Sequence, residues 1–221
     1  MEITNKGRLH ITTSPNSLLD YLSIIISYVF HPIILIAYTV GYLLYLNPMV
    51  FVGFDEDGKI LVLLRILGTS VLMPLITVVL LKALGFVSTV RLETQKERII
   101  PYVACITFFF WSYYVSKKLN DPFELRAFLL SLFLIATVSL IVNNYFKISM
   151  HALGFGGINA LFVLMLFNDR MNDGFIFTIS FLLAGLVSMA RLKRNNHHPI
   201  EIYAGYFLGA LVQVFSWWFL L

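Results

Sequence analysis

Residues 125–145 read LRAFLLSLFLIATVSLIVNNY, a run of 21 residues in which Arg126 is the only charge. About 20 mostly apolar residues are enough for a helix to cross a bilayer, so this run predicts a transmembrane helix. Six further runs predict spans near Leu22–Leu46, Leu61–Phe86, Ile99–Val115, Ser149–Phe167, Phe175–Met189 and Pro199–Leu220. Length therefore predicts about seven helices, or six, because several runs are short or polar at one end.

The composition agrees with this interpretation. The chain has 221 residues, of which 59% are hydrophobic and 13% charged, whereas about a quarter of the residues in soluble domains are charged. We therefore expect an all-α, polytopic transmembrane bundle, with a polar N-terminal segment at 1–17 and a single membrane domain at 18–221. The first apolar run comes after that polar segment, so we expect a retained helix rather than a cleaved signal.

Charge and cysteine content exclude some partners and leave others open. The net charge of +4 favours contact with anionic lipid head groups, and so little of the chain is left for a soluble domain that nucleic-acid binding is not expected. Cys105 is the only cysteine, so no intrachain disulfide can form. No metal-ligand spacing appears, and no cofactor is expected. The sequence leaves the oligomeric state open.

The loop before the last span carries the first polar cluster of interest. Arg191 is followed after five residues by His197, and after three more by Glu201. Arginine offers a planar fork to phosphate oxygens, and a histidine held by a carboxylate can attack phosphorus. In the alternative interpretation, the loop is a basic juxtamembrane segment and Glu201 is favoured by the dipole of the helix that Pro199 begins.

A second cluster opens the span at Ser149. Ser149 is placed to cap that helix, whose N-terminus is an anion site through its free N–H groups. His151 follows closely and could protonate a leaving alkoxide as a general acid. The alternative is a routine capping serine with a histidine that reaches interfacial water.

A third cluster precedes the span at Ile99. Arg91 and Arg98 bracket a charged segment, and Pro101 follows. Both arginines could stabilise charge on phosphate oxygens in a transition state. The alternative is a solvated charged loop beside a membrane helix.

The number of spans between the clusters is even. From Arg98 the predicted chain crosses the bilayer and returns before Ser149, and it does so again before Arg191. All three clusters therefore fall on one membrane face, with the N-terminus on that face and the C-terminus on the other. The Lys/Arg bias favours the cytoplasm for the cluster-bearing face, but basic residues recruited to bind phosphate distort that rule, so sidedness stays open.

Together the clusters resemble the three motifs of the type-2 phosphatidic acid phosphatase superfamily, which includes bacterial lipid pyrophosphate phosphatases and vanadium haloperoxidases. The family motifs are Lys-x6-Arg-Pro, Pro-Ser-Gly-His and Ser-Arg-x5-His-x3-Asp. The matching segments here are Arg91-x6-Arg98 with Pro101, Ile148-Ser149-Met150-His151, and Ala190-Arg191-x5-His197-x3-Glu201. The resemblance covers more than half the chain. Arg91 and Glu201 replace the family's lysine and aspartate, Met150 replaces its glycine, and the proline is delayed.

The resemblance implies a metal-independent lipid phosphatase that works through a phosphohistidine. In it, His197 is the nucleophile, Glu201 orients His197, and His151 protonates the departing lipid alkoxide and then activates water. The phosphate-binding residues it implies are Arg91, Arg98, Ser149 and Arg191. The expected partners are the bilayer and a lipid phosphate substrate. The expected location is the inner membrane of a bacterium.

Two other functions stay open. In a lipid head-group phosphotransferase, an alcohol would replace water at the same phosphohistidine. In a catalytically inactive carrier or scaffold, ionisable residues would mark a path across the bilayer, and the predicted mid-span stretches are nearly free of charge. The sequence does not select among phosphatidate, phosphatidylglycerophosphate, polyprenyl pyrophosphate and lipid A phosphates.

Overall fold

The computed structural model describes residues 18–88, 94–145, 147–171, 174–194 and 197–221. These residues form eight helices and no strand, which confirms the all-α prediction. The helices are α1 (Leu18–Val29), α2 (Pro32–Leu46), α3 (Glu56–Ala83), α4 (Ile99–Lys118), α5 (Phe123–Val142), α6 (Met150–Phe167), α7 (Phe175–Lys193) and α8 (Pro199–Leu220). The predicted polar segment 1–17 lies outside the described residues.

The six helices from α3 to α8 are each long and apolar enough to cross a bilayer, and the chain is a multi-pass integral membrane protein. The bent pair α1 and α2 brings the number of spans to seven if it counts as one. The single helix predicted at Leu22–Leu46 is wrong in its first half. The chain turns by 58° between α1 and α2, because Pro32 lacks an N–H and disfavours helical backbone at the residue before it. His31 is accordingly extended.

Local sequence signals fix the helix ends. Asp55 caps α3 by accepting a hydrogen bond from the Gly58 N–H at 2.9 Å. Pro199 occupies the start of α8, where its missing N–H costs nothing. The turns after α4 and α6 each contain a residue in the left-handed region, Asn120 and Asp169, with φ of 54°.

Helix α6 is the most buried span. It lies against α8, α7, α5 and α2, and it runs parallel to α8 because both begin at the same end of the bundle. The pair packs closely through glycines. A Cβ at Gly156 would overlap the Tyr206 carbonyl, and a Cβ at Gly209 would overlap the Leu153 carbonyl. This contact fixes the start of α6 beside the start of α8, which brings two of the predicted clusters together.

Candidate active site

The first turn of α8 holds a buried histidine–carboxylate pair. His198 is the extended residue before the helix, and its N–H donates to Glu201 Oε2 at 3.2 Å. The same oxygen accepts a hydrogen bond from Nδ1 of His197 at 2.8 Å. Both His197 and Glu201 are buried, whereas His198 is exposed. Since the carboxylate only accepts, Nδ1 carries the proton and Nε2 of the neutral ring keeps its lone pair.

Burial and the charge of Arg191 lower the pKa of His197 to about 4, although Glu201 acts in the opposite direction. The ring is therefore neutral at pH 7, and the 2.8 Å contact is a hydrogen bond from a neutral imidazole rather than an ion pair between two charges. A neutral imidazole with a fixed tautomer is the nucleophilic form of histidine.

Ser149 caps α6 as predicted. Its backbone is extended, and its Oγ accepts a hydrogen bond from the Ala152 N–H at 3.4 Å. The Ser149 N–H donates to the Glu201 carbonyl at 3.3 Å. A Cβ at Gly205 would lie 3.0 Å from the Ser149 carbonyl oxygen, so glycine permits this close approach. The Ser149 cluster and the cluster from Arg191 to Glu201 therefore share a direct backbone hydrogen bond.

His151 lies in the first turn of α6, buried beneath α1. Its Nε2 is 3.0 Å from the carbonyl oxygen of Ser27. A carbonyl only accepts, so Nε2 donates, and in the neutral ring the lone pair lies on Nδ1. The Ser27 carbonyl is one of the last four in α1, which have no partner within the helix. His151 thus closes the C-terminal end of α1 while its other nitrogen stays available for proton transfer.

Two guanidinium groups lie beside these histidines. Arg98 is buried, and its Nη1 lies 3.5 Å from the Ile148 carbonyl oxygen. Burial lowers the pKa of Arg98, and the nearby Glu201 charge acts in the opposite direction. Arg191 is within electrostatic range of Arg98 and of His197. The Glu201 carboxylate acts on Arg98, whereas the positive charges of Arg194 and Arg98 act on Arg191.

The Arg191 side chain has an unused donor. Its Nε is buried and has no hydrogen-bond partner in the part of the chain that the structure describes. A buried guanidinium N–H left unpaired is costly, and an acceptor such as a phosphate oxygen would satisfy it. An anion bound beside Arg191 would therefore complete its hydrogen bonding.

The structure thus brings together six of the seven residues that the sequence nominated: Arg98, Ser149, His151, Arg191, His197 and Glu201. Arg91, the seventh, lies outside the described residues.

His31 is a member of this group that sequence reasoning did not select. Its ring meets that of His151 edge to face, with centroids 5.7 Å apart, and it lies within electrostatic range of Arg191. Its Nδ1 accepts a hydrogen bond from the Ile33 N–H at 3.4 Å, which caps α2. The one available signal was the His31-Pro32 pair, which marks a helix break but does not indicate where the break lies in space.

The donors in this site suit an anion better than a metal ion. In the described ranges, no group of three or more His, Cys, Asp or Glu residues could hold a metal ion. Glu201 already accepts hydrogen bonds from His197 and His198. The remaining side chains are the three histidine rings, the Ser149 hydroxyl and the two arginines, whose positive charges oppose the binding of a metal cation.

Four charged residues at the opposite end of the bundle form ion pairs with each other. Arg65 contacts Asp121, which also accepts a hydrogen bond from Ser116. Arg170 lies 3.5 Å from the buried Glu124. These contacts join α3, α4, α5 and the turn after α6, far from the histidines.

Comparison of the chain with known protein families, with curated proteins and with solved structures finds no match.

Proposed function

We propose that this protein is a lipid phosphatase that removes a phosphate or pyrophosphate group from a membrane lipid through a phosphohistidine, without a metal ion. The observation that carries the proposal is the buried Arg191 Nε with no partner among the described residues, beside a neutral His197 held by Glu201. An anion would complete the hydrogen bonding of Arg191 and stand next to a nucleophile. The resemblance of all three motifs to the type-2 phosphatidic acid phosphatases agrees with this chemistry.

In the first step, Nε2 of His197 attacks phosphorus. A P–N bond forms, and the P–O bond to the lipid breaks. Glu201 holds the ring through Nδ1 and stabilises the positive charge that the ring acquires. His151, protonated at Nδ1, gives its proton to the departing alkoxide and keeps its Nε2–H on the Ser27 carbonyl. Arg98, Arg191 and Ser149 hold the phosphate oxygens.

In the second step, neutral His151 removes a proton from water through Nδ1, and the water oxygen attacks phosphorus. The P–N bond breaks, so that inorganic phosphate leaves and both histidines return to their starting forms. Each histidine therefore uses the nitrogen that its orienting acceptor leaves free: Nε2 in His197 and Nδ1 in His151.

A lipid substrate is supported by the surroundings of the site. The site lies at the ends of helices that are long enough to span a bilayer. Its residues on α6, α7 and α8 are therefore expected next to the hydrocarbon region of the membrane. A phosphate held at this level would keep the rest of the lipid in the membrane. By resemblance to the bacterial lipid pyrophosphate phosphatases, we propose the bacterial inner membrane as its location.

The test is phosphate release by purified protein from phosphatidate, phosphatidylglycerophosphate, polyprenyl pyrophosphate and lipid A phosphates. We expect release from at least one of them, unaffected by EDTA and inhibited by vanadate, whose five-coordinate form resembles the transferring phosphoryl group. His197→Ala serves as the matched control. Release that continues in the His197→Ala variant, or release that needs added Mg²⁺, would refute the proposal.

A lipid phosphotransferase is a second candidate, favoured by the low exposure of the site. Ser149, His151, His197 and Glu201 are each less than 10% exposed. A site that excludes water would favour a bound alcohol as the acceptor from phosphohistidine. Addition of glycerol or a short primary alcohol, with analysis for the corresponding phosphate ester, distinguishes transfer from hydrolysis.

A further inference from the structure

Helix α1 covers the candidate site. The Ser27 carbonyl in its last turn accepts the hydrogen bond from His151, and the Phe30–His31 break places His31 against the same ring. At its other end, Asp20 forms an ion pair of 3.5 Å with Lys193, the last residue of α7 and four residues before His197. Helix α1 therefore contacts the start of α6, which carries His151, and the end of α7, which precedes the loop of His197.

The packing of α1 against the bundle is weak. Its buried residues are Ser23 and Ser27, whose hydroxyls bond to carbonyls of the same helix. Ile26 packs partly buried against the core, but no large apolar side chain of α1 is fully buried, so the apolar area that holds this helix in place is small. Asp20 and Lys193 are each about one-third exposed, and an ion pair at such positions contributes at most about 1 kcal/mol, enough to hold a weakly packed helix but not to lock it. Elements with few buried apolar contacts open more readily than the core.

The outer face of α1 suits the membrane interface. Leu18, Leu19, Tyr21, Leu22 and Ile25 are exposed on it. Ser27 contacts the start of α6 and Asp20 contacts the end of α7, so both parts of α1 lie at the same end of the bundle. Its 58° bend from α2 and its apolar face are those of a helix that lies in the interface rather than spanning the bilayer.

We propose that α1 is a displaceable interfacial cover, hinged at Phe30–His31, which a lipid phosphate must move to reach His197. That a lipid phosphate moves α1 rests on the proposed function. That α1 covers the site and can move rests only on the contacts described above. Because the hydrogen bond from His151 to Ser27 closes the cover, opening it also releases Nε2 of the proposed acid–base residue. Opening of the site and loss of the hydrogen bond from His151 to Ser27 are therefore coupled.

The first experiment reads the position of α1 without using activity. Ser27→Cys, in a Cys105→Ser background, reports exposure of the covered face to a membrane-impermeant maleimide. Asp20→Lys replaces the ion pair with two like charges, and we expect labelling of position 27 to become about five-fold faster. The exchange Asp20→Lys with Lys193→Asp restores opposite charges and should restore slow labelling.

A buried serine on another helix serves as the control. Ser139, in α5, is buried and belongs to a helix that packs on α4, α6 and α8. Ser139→Cys should label at the same rate with and without Asp20→Lys. Unchanged labelling of position 27 in the Asp20→Lys protein would overturn the cover. So would a parallel rise at position 139, because the ion pair would then hold the whole bundle.

The second experiment tests what opens the cover. In the Ser27→Cys protein carrying His197→Ala, which cannot consume the lipid, phosphatidate in mixed micelles should raise labelling several-fold over phosphatidylcholine. Equal labelling with the two lipids would overturn displacement by a lipid phosphate. If Asp20→Lys still raised labelling, the failure would then lie with the proposed ligand and function, not with the mobility of α1.

Discussion

At the scale of single residues, the two buried histidines differ in which ring nitrogen donates a hydrogen bond to the protein. His197 donates through Nδ1 to a carboxylate, and His151 donates through Nε2 to a backbone carbonyl. The sequence predicted the first contact from the four-residue spacing to Glu201, which a helix start brings together. It could not predict the second, because Ser27 is 124 residues away and offers a backbone atom, which no side-chain pattern encodes.

The loop before α8 gives the sharpest residue prediction. His197→Ala should lower turnover by several orders of magnitude, because the nucleophile is lost, whereas His198→Ala should retain much of it, since His198 contributes its backbone N–H to Glu201 and its ring is exposed. Glu201→Gln should fall between, since the ring remains but loses its orienting charge. Steady-state kinetics on purified, folded variants measures this. A folded but inactive His198→Ala enzyme would show that the wrong histidine has been assigned.

The role of His151 can be tested with two amide substitutions, each of which replaces one of the two ring nitrogens. The glutamine amide reaches the position of Nε2 and can still donate to the Ser27 carbonyl, whereas the asparagine amide replaces Nδ1. If His151 acts in proton transfer, both His151→Gln and His151→Asn should lose activity, by about 10²-fold or more. If it only caps α1, His151→Gln should remain active. Phosphate release, together with a thermal unfolding scan, separates these outcomes.

The acid limit of activity follows from the environment of His197. The attacking form is neutral, and its pKa lies at about 4 instead of the ordinary value of 6.5. As pH falls, an ordinary histidine would be half protonated at 6.5, whereas His197 stays neutral until about pH 4. Formation of phosphohistidine should therefore persist at pH 5.5. A single-turnover measurement with a substrate of low phosphate pKa tests this, and loss of the step near pH 6.5 would contradict it.

At the scale of helices, the sequence predicted α3 to α8 with their ends displaced by a few residues, because their apolar length alone requires a span. The prediction from the sequence failed where an apolar run long enough for one span contains a helix-breaking residue. The run Leu22–Leu46 is long enough to be one span, yet Pro32 divides it, and the direction of the resulting bend depends on His151 and Lys193 of distant helices. The importance of His31 was missed for the same reason.

The glycine contact between α6 and α8 predicts a matched pair of variants. Gly209→Ala places a methyl group into the Leu153 carbonyl, so α6 and α8 must separate, at a cost of about 1–3 kcal/mol. Gly185→Ala, in α7, meets no atom within 4 Å and should cost nothing. Thermal unfolding in detergent measures both. Equal stability of the two variants would show that the tight contact does not hold these helices together.

The same variant tests whether the helix contact positions the site. Separation of α6 from α8 would move Ser149 and His151 away from Glu201, so Gly209→Ala should also lower turnover at temperatures where it remains folded. Gly185→Ala should leave turnover unchanged.

At the scale of the whole molecule, the even number of spans between the clusters allowed a shared site to be predicted from the sequence. The structure confirms the juxtaposition through the hydrogen bond between Ser149 and Glu201 and the proximity of Arg98 to Arg191. The same alternation places the Arg65–Asp121 and Arg170–Glu124 contacts at the other end. The bundle thus separates the candidate site with its two arginines at one end from paired charges at the other.

Topology can be tested with single cysteines in a Cys105→Ser background. Lys96→Cys precedes Arg98, Asn144→Cys follows α5, and Arg194→Cys follows α7, so all three positions lie at the histidine end. Lys118→Cys, at the last residue of α4, and Asn168→Cys, just after α6, lie at the opposite end. An impermeant maleimide added to one side of sealed vesicles should label the first three together and leave the other two unlabelled. Added to the other side, it should give the reverse pattern, because each helix from α3 to α8 crosses the bilayer once.

If any one of the first three labelled with the opposite group, its cluster could not belong to the same site. The side on which the three react would also establish whether the candidate site faces the cytoplasm or the outside.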